Sequence, residues 1–103
     1  MKIQLLTFPG CPNASAARET LRTALVSAGM DANVEEIDLT SRETPEQLRG
    51  WGSPTVLIDG IDIAGEQTPS GTSCRLYRDV DGRLRGVPSQ ALVLAALRRR
   101  PER

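Results

Sequence analysis

A short apolar run and a longer helical pattern occupy the first third of the chain. The run Ile3–Phe8 has the length and the flanking Pro and Gly that are typical of a strand. Apolar residues then recur every three or four positions, which predicts a helix over residues 13–28 with one core-facing stripe. The stripe is formed by Ala14, Ala17, Leu21, Leu25 and Ala28. Pro12 suits the first turn of this helix, and Gly29 suits its left-handed C-terminal cap.

Shorter elements follow this helix. Val34–Leu39 is predicted as a second strand. Thr44 precedes Pro45 and has Gln47 three residues after it, which is the arrangement of a capping box. We therefore expect a short helix that begins at this cap and runs through Arg49.

The second half of the chain is dominated by strand and turn signals. Strands are predicted at residues 55–58 and 75–77, with residues 61–63 as a candidate continuation of the sheet after the hairpin signal Asp59-Gly60. The polar stretch 65–73 is predicted as a loop. Ser89 is the predicted cap of a last helix that runs to about residue 100. The predicted order is β-α-β-α-β-β-α in a single domain, residues 1–103.

Charge and composition limit the classes of function. Thirteen basic and thirteen acidic side chains leave no net charge, so neither nucleic acid nor a membrane is an expected partner. Histidine is absent, which excludes a Cys–His pair, a Ser–His–Asp triad and a histidine-ligated metal within this chain. No metal site is expected, because the two cysteines alone are too few for structural zinc unless subunits share the metal.

The expected location is the cytoplasm. No apolar stretch approaches the roughly 20 residues that a membrane span requires. Met1-Lys2 leads directly into a strand pattern, with none of the features of a signal peptide. Cysteines in that compartment are expected to be mostly reduced.

Cys11 is the leading candidate for chemistry because it lies where the first strand gives way to the first helix. Unpaired backbone N–H groups and the positive end of the helix dipole both favour the thiolate over the thiol. This route to activation does not require histidine. The alternative interpretation of Cys11 is a small buried hydrophobic residue.

Two loops and a turn resemble those of the thioredoxin fold. They are Phe8-Pro9-Gly10-Cys11-Pro12-Asn13-Ala14, Gly52-Ser53-Pro54-Thr55-Val56 and Asp59-Gly60. The chain is most similar to small bacterial thioredoxin-like and glutaredoxin-like proteins, some of which carry labels linked to mercury resistance or alkylmercury lyase. The resemblance implies an α/β fold with a central mixed four-stranded sheet. It also implies a cis Ser53–Pro54 bond that lies against Cys11 and pairs with a substrate backbone.

The resemblance further implies a monothiol oxidoreductase with Cys11 as the nucleophile. Ala14 stands where a second cysteine would follow in a C-x-x-C motif. An external thiol would therefore complete the reaction, with glutathione or another low-molecular-weight thiol as the candidate co-substrate and no bound cofactor. The partner would be a disulfide-containing or thiol-modified protein or small molecule. The candidate substrate-binding residues are Pro12, Asn13, Trp51, Ser53 and Pro54. Asn13 and Ser53 are included because they are close to Cys11 and Pro54 in sequence and could hydrogen-bond a substrate thiolate. Trp51 could form an aromatic wall beside the site, but a lone Trp more often packs in the interior.

Cys74 is the one candidate for a second thiol within the chain. It lies at the start of the predicted strand, directly before residues 75–77. If this strand pairs antiparallel with residues 56–58, its start lies at the opposite end from Pro54 and hence far from Cys11. We therefore expect Cys74 to be buried, and favour this over a Cys11–Cys74 disulfide. Two other functions remain open: a non-catalytic binding module of thioredoxin fold, and a protein that binds a mercurial or another soft metal through its thiols.

Overall fold

The computed structural model describes residues 1–66 and 74–99. Its elements, in chain order, are β1 (Ile3–Thr7), α1 (Ala14–Ser27), β2 (Val34–Asp38), α2 (Glu46–Arg49), β3 (Thr55–Ile58), β4 (Ile61–Asp62), β5 (Tyr77–Arg78), β6 (Leu84–Arg85) and α3 (Gln90–Arg99).

The central sheet has four strands in the order β2-β1-β3-β4. β1 is parallel to β2 and antiparallel to β3, and β3 is antiparallel to β4. Three helices accompany this sheet within the described residues. The predicted α/β architecture with a mixed four-stranded sheet is therefore confirmed.

The fourth strand of the sheet differs from the prediction. Asp59 and Gly60 have φ angles of 51° and 83°, which is the left-handed geometry of a tight hairpin turn. The turn folds β4 directly back onto β3, at Leu57 and Ile58. Residues 75–77 consequently do not pair with β3, and β5 forms a separate two-stranded hairpin with β6.

The sheet is covered on both faces because side chains alternate along a strand. One face carries Ile3, Leu5, Val56 and Ile58, which pack with buried residues of α1 and α3. The other carries Leu6 and Leu57, which pack with Leu39 and Trp51; Leu48 of α2 lies against this second cluster. The fold is thus a three-layer arrangement with β1 and β3 at its centre.

Two details of the predicted helices are wrong. Ala28 is predicted to belong to the buried stripe of α1, but it lies beyond the last residue of the helix and is exposed. Ala24, which is not part of the predicted stripe, is buried on α1. The capping box at Thr44 does not form: Pro45 is the N-cap of α2, and no side chain caps it. The buried Thr44 hydroxyl instead donates to the carbonyl of Asp38 at 2.5 Å, which ties the α2 region to the end of β2.

The caps of the other helices follow the prediction. Gly29 has a φ of 69° after α1, and Ser89 Oγ accepts the N–H of Leu92 at 3.0 Å at the start of α3. The predicted loop 65–73 lies outside the described residues beyond Glu66, as does the predicted helix end at residue 100.

Candidate thiol site

Cys11 lies in the turn that joins β1 to α1. Its N–H donates to the carbonyl of Phe8 at 3.2 Å, and its carbonyl accepts the N–H of Ala14 at 3.3 Å. Gly10 supplies the positive φ of 80° that this turn requires. The Cys11 thiol is free and half-buried. Cys11 therefore stands just ahead of the first turn of a 14-residue helix, as the sequence predicts.

The two residues that follow Cys11, Pro12 and Asn13, differ from the prediction in their place relative to α1. Pro12 is exposed and lies two residues ahead of α1, not in its first turn. Asn13 is the N-cap, but its side chain makes no capping hydrogen bond. It lies against Gly86, where an added Cβ would be 2.3 Å from Asn13 Nδ2. The loop that leads into α3 therefore reaches the Cys11 turn.

The Ser53–Pro54 loop adjoins the Cys11 turn. The Ser53–Pro54 bond is cis, as the resemblance implied. Ser53 is completely buried, and its Oγ accepts the N–H of Phe8 at 3.1 Å. Thr55 Oγ1 donates to the carbonyl of Gly52 at 2.6 Å, across the same loop. One hydrogen bond thus joins the strand that delivers Cys11 to the residue that precedes Pro54.

Cys74 lies at this same loop, which overturns its predicted position. Cys74 forms an isolated parallel bridge with Ser53, and the N–H of Arg75 donates to the Ser53 carbonyl at 2.9 Å. The Cys74 side chain is free and exposed, not buried. The Asp59-Gly60 hairpin explains the difference. It places β4 at the edge of β3, where residues 75–77 were predicted to pair.

A buried ion pair holds this segment in place. Arg75 and Asp62 have side-chain exposures of 6% and 0%, and the guanidinium donates to both carboxylate oxygens, at 2.8 and 3.1 Å. Arg75 Nη1 also lies 3.2 Å from Thr55 Oγ1. Burial works against the charged guanidinium, but the hydrogen bonds with Asp62 and the nearby negative groups raise the pKa of Arg75 above its ordinary value.

Two aromatic rings complete the buried cluster. The Arg75 guanidinium carbon lies 4.7 Å from the centre of the Tyr77 ring and 5.6 Å from the centre of the Trp51 ring. The Tyr77 hydroxyl donates to the Pro54 carbonyl. Burial raises the pKa of Tyr77 well above its ordinary value, against the opposing effect of the Arg75 cation. Trp51 is therefore part of the packing beneath the loop and does not line an open cleft.

The residues implied in substrate binding fall into two groups. Pro12 is exposed and Asn13 is half-buried, and both follow Cys11 directly in the turn. Trp51, Ser53 and Pro54 are buried and contact other parts of the chain. The resemblance implies that the backbone at Ser53–Pro54 pairs with a substrate, but the Ser53 carbonyl already accepts the N–H of Arg75.

Three residues of the buried cluster are missing from the sequence-based prediction: Asp62, Arg75 and Tyr77. A signal for them exists in the sequence. Asp62 is a single carboxylate between two isoleucines in a strand-like stretch, and such a charge requires a partner when it is buried. Arg75 and Tyr77 are two residues apart, which places both on one side of an extended segment.

A shallow cavity of about 260 Å³ lies beside the Cys11 turn and is lined by Thr7, Pro9, Glu36, Ile37 and Asp38. The hydroxyl and N–H of Thr40 both donate to Asp38, which holds the pKa of that carboxyl below its ordinary value. Asp38 therefore stays negatively charged at neutral pH, beside the approach to the turn.

No protein-family model, curated protein or solved structure matches this chain. Over residues 1–66 and 74–99, no helix has the length and apolar character needed to cross a membrane. The same ranges contain no cluster of three or more Cys, Asp or Glu side chains that could hold a metal ion.

Proposed function

We propose that this protein is a thiol–disulfide oxidoreductase of thioredoxin-like fold, with Cys11 as its nucleophile. The observation that carries the proposal is the hydrogen bond from the Phe8 N–H to Ser53 Oγ. It brings the Cys11 turn and the Ser53–Pro54 loop together, as the resemblance to thioredoxin-like proteins implies. The three-layer fold with a mixed central sheet is compatible with this class.

The position of Cys11 provides its activation. The turn places it at the end of β1, ahead of a helix whose first-turn N–H groups receive no side-chain cap. Unpaired N–H groups and the positive end of a helix dipole favour a negative charge placed beside them, and in this proposal they activate Cys11. Cys11 is half-buried, so part of the residue is open to solvent, from which a substrate would approach.

The reaction begins with attack of the Cys11 thiolate on one sulfur of a disulfide R–S–S–R′. A Cys11–S–S–R mixed disulfide forms, and R′–S⁻ leaves and takes up a proton from water. In the monothiol form of the reaction, a second thiol such as glutathione attacks the sulfur of R. This step returns Cys11 as a thiolate and transfers R to the attacking thiol as a new disulfide.

The remaining implied residues have separate tasks in this proposal. Pro12 and Asn13 follow Cys11 directly in the turn and would contact the substrate. Ser53 and Pro54 are buried and would act by fixing the turn that carries Cys11. Trp51 would act through its packing against the Arg75 guanidinium.

A glutathione-coupled assay with a small disulfide substrate tests the proposal. We expect turnover by the wild-type protein and a loss of at least 100-fold in Cys11→Ser, which removes the nucleophile and keeps the size of the side chain. Ser15→Cys/Cys11→Ser is the matched control: it restores a thiol at an exposed position on α1 and should remain inactive. Equal turnover by the wild type and Cys11→Ser would refute the proposal. Peptide binding without turnover would favour a binding module instead.

A further inference from the structure

The chain has two cysteines; Cys74 pairs with Ser53 directly, and Cys11 is connected to Ser53 through Phe8. The contacts that connect them are few. The Cys11 N–H bonds to the Phe8 carbonyl, the Phe8 N–H bonds to Ser53 Oγ, and Ser53 forms the bridge with Cys74. Only Phe8 and Ser53 stand between the two cysteines in this series of contacts.

Cys74 is held in position from within the protein. Side chains alternate along an extended segment, so the buried Arg75 and Tyr77 direct Cys74 and Leu76 toward the opposite, exposed side. The ion pair of Arg75 with Asp62 and the bond from Tyr77 to Pro54 anchor this segment to β4 and to the proline loop. Cys74 is therefore an exposed thiol on a firmly attached backbone.

The bond made by Arg75 also changes what can approach this loop. Its N–H donates to the Ser53 carbonyl, so this acceptor is already used by the chain itself. The chain's own segment, with Cys74 at its start, thus takes the place beside Ser53. Cys74 thus lies beside the residue to which Phe8 ties the Cys11 turn.

We propose that Cys74 is the resolving thiol for Cys11, an inference that rests on the proposed function. In the mixed disulfide Cys11–S–S–R, the Cys74 thiolate attacks Cys11 Sγ. The Cys11–Cys74 disulfide bond forms, the S–S bond between Cys11 and the sulfur of R breaks, and R–S⁻ leaves and takes up a proton. Over both steps the substrate disulfide gains two electrons and becomes two thiols, while the two cysteines are oxidised to a disulfide. An external low-molecular-weight thiol then reduces that disulfide.

The test uses a substoichiometric amount of the aromatic disulfide dithionitrobenzoate, whose released thiolate is coloured. The wild-type protein should release two thiolates for each reagent molecule and retain no aromatic group. Peptide mass spectrometry without reduction should find Cys11 linked to Cys74 in the monomer. Cys74→Ser should release one thiolate and retain the aromatic thiol on Cys11.

Cys74→Ser/Leu76→Cys is the matched control, because it moves the exposed thiol two residues along the same segment, roughly 7 Å. Disulfide geometry is strict, with Cα atoms about 4.4–6.8 Å apart, so this variant should behave like Cys74→Ser. The release of one thiolate by the wild type, with the aromatic group retained on Cys11, would overturn the resolving role and leave the proposed function intact. Failure of Cys74→Ser to form any mixed disulfide at Cys11 would refute both.

Discussion

The Cys11 turn and the segment 74–78 meet at Ser53, but they are held there by different means. The Cys11 turn has exposed or half-buried side chains, and the N–H of Phe8 links it to the loop through a hydrogen bond to Ser53 Oγ. The segment 74–78 is anchored by the buried side chains of Arg75 and Tyr77. Displacing the second segment would leave buried charge unpaired, whereas displacing the first would not. Cys11, the proposed nucleophile, thus lies on the less strongly anchored side of the site.

The largest effect is expected from breaking the buried ion pair. Arg75→Met keeps an apolar stem over the two aromatic rings but leaves the Asp62 carboxylate buried without its partner. We expect a loss of about 3–5 kcal/mol in the free energy of unfolding. Urea unfolding followed by circular dichroism measures it.

Arg18→Met is the matched control for that variant. Arg18 pairs with Glu36 through two hydrogen bonds, at 2.6 and 2.8 Å, but the two side chains are 46% and 45% exposed. Water screens such a pair, so we expect only a small change in stability. Similar losses in the two variants would show that the Arg75 segment is no more strongly anchored than the surface.

Removing the Tyr77 hydroxyl should have the next largest effect. Tyr77→Phe keeps the ring beside Arg75 but leaves the buried Pro54 carbonyl without this donor. We expect a loss of about 1–3 kcal/mol at neutral pH. The same unfolding measurement tests this prediction. An unchanged free energy of unfolding would show that the Tyr77 hydroxyl does not help to hold the segment 74–78 in place.

The pH dependence of the free energy of unfolding provides a second test of the buried Tyr77 hydroxyl. In the unfolded chain Tyr77 ionises near its ordinary pKa of 10.0, whereas burial raises the pKa in the folded protein. Its contribution is therefore complete below about pH 10 and is lost as the pH rises toward the folded value. Above pH 10 the wild type should lose up to about 1.4 kcal/mol per pH unit more than Tyr77→Phe. Tyr77 is the sole tyrosine of the chain, so its phenolate absorbance reports the folded titration directly.

The two regions also differ in how far their positions could be predicted from sequence, because one depends on contacts between neighbours in the chain and the other on contacts between distant residues. The β1–turn–α1 unit depends on neighbours in the chain: the strand Ile3–Thr7, the positive φ at Gly10 and the apolar period of α1. These local rules place Cys11 correctly. The hairpin at Asp59-Gly60 is local too, and it was also predicted.

Cys74 could not be placed by local rules, because its position depends on which strand occupies the edge of β3. The Asp59-Gly60 hairpin and the ion pair between Asp62 and Arg75 determine that β4, and not residues 75–77, pairs with β3. Asp62 and Arg75 are 13 residues apart in sequence, so a local pattern does not reveal their contact. The capping box at Thr44 failed for a similar reason. The carbonyl of Asp38 is an acceptor brought close by tertiary structure, and it takes the hydroxyl that the local motif assigns to the helix.

The central claim is that Cys11 is activated by its position, and the two cysteines of the same molecule provide the most direct test. Exposure alone favours alkylation of Cys74, because Cys74 is exposed and Cys11 is half-buried. Activation at the start of α1 favours Cys11. We expect iodoacetamide at neutral pH to label Cys11 first, at least tenfold faster than Cys74 and faster than a model thiol, as read by peptide mass spectrometry. Labelling of Cys74 first, with Cys11 no faster than the model thiol, would contradict the account.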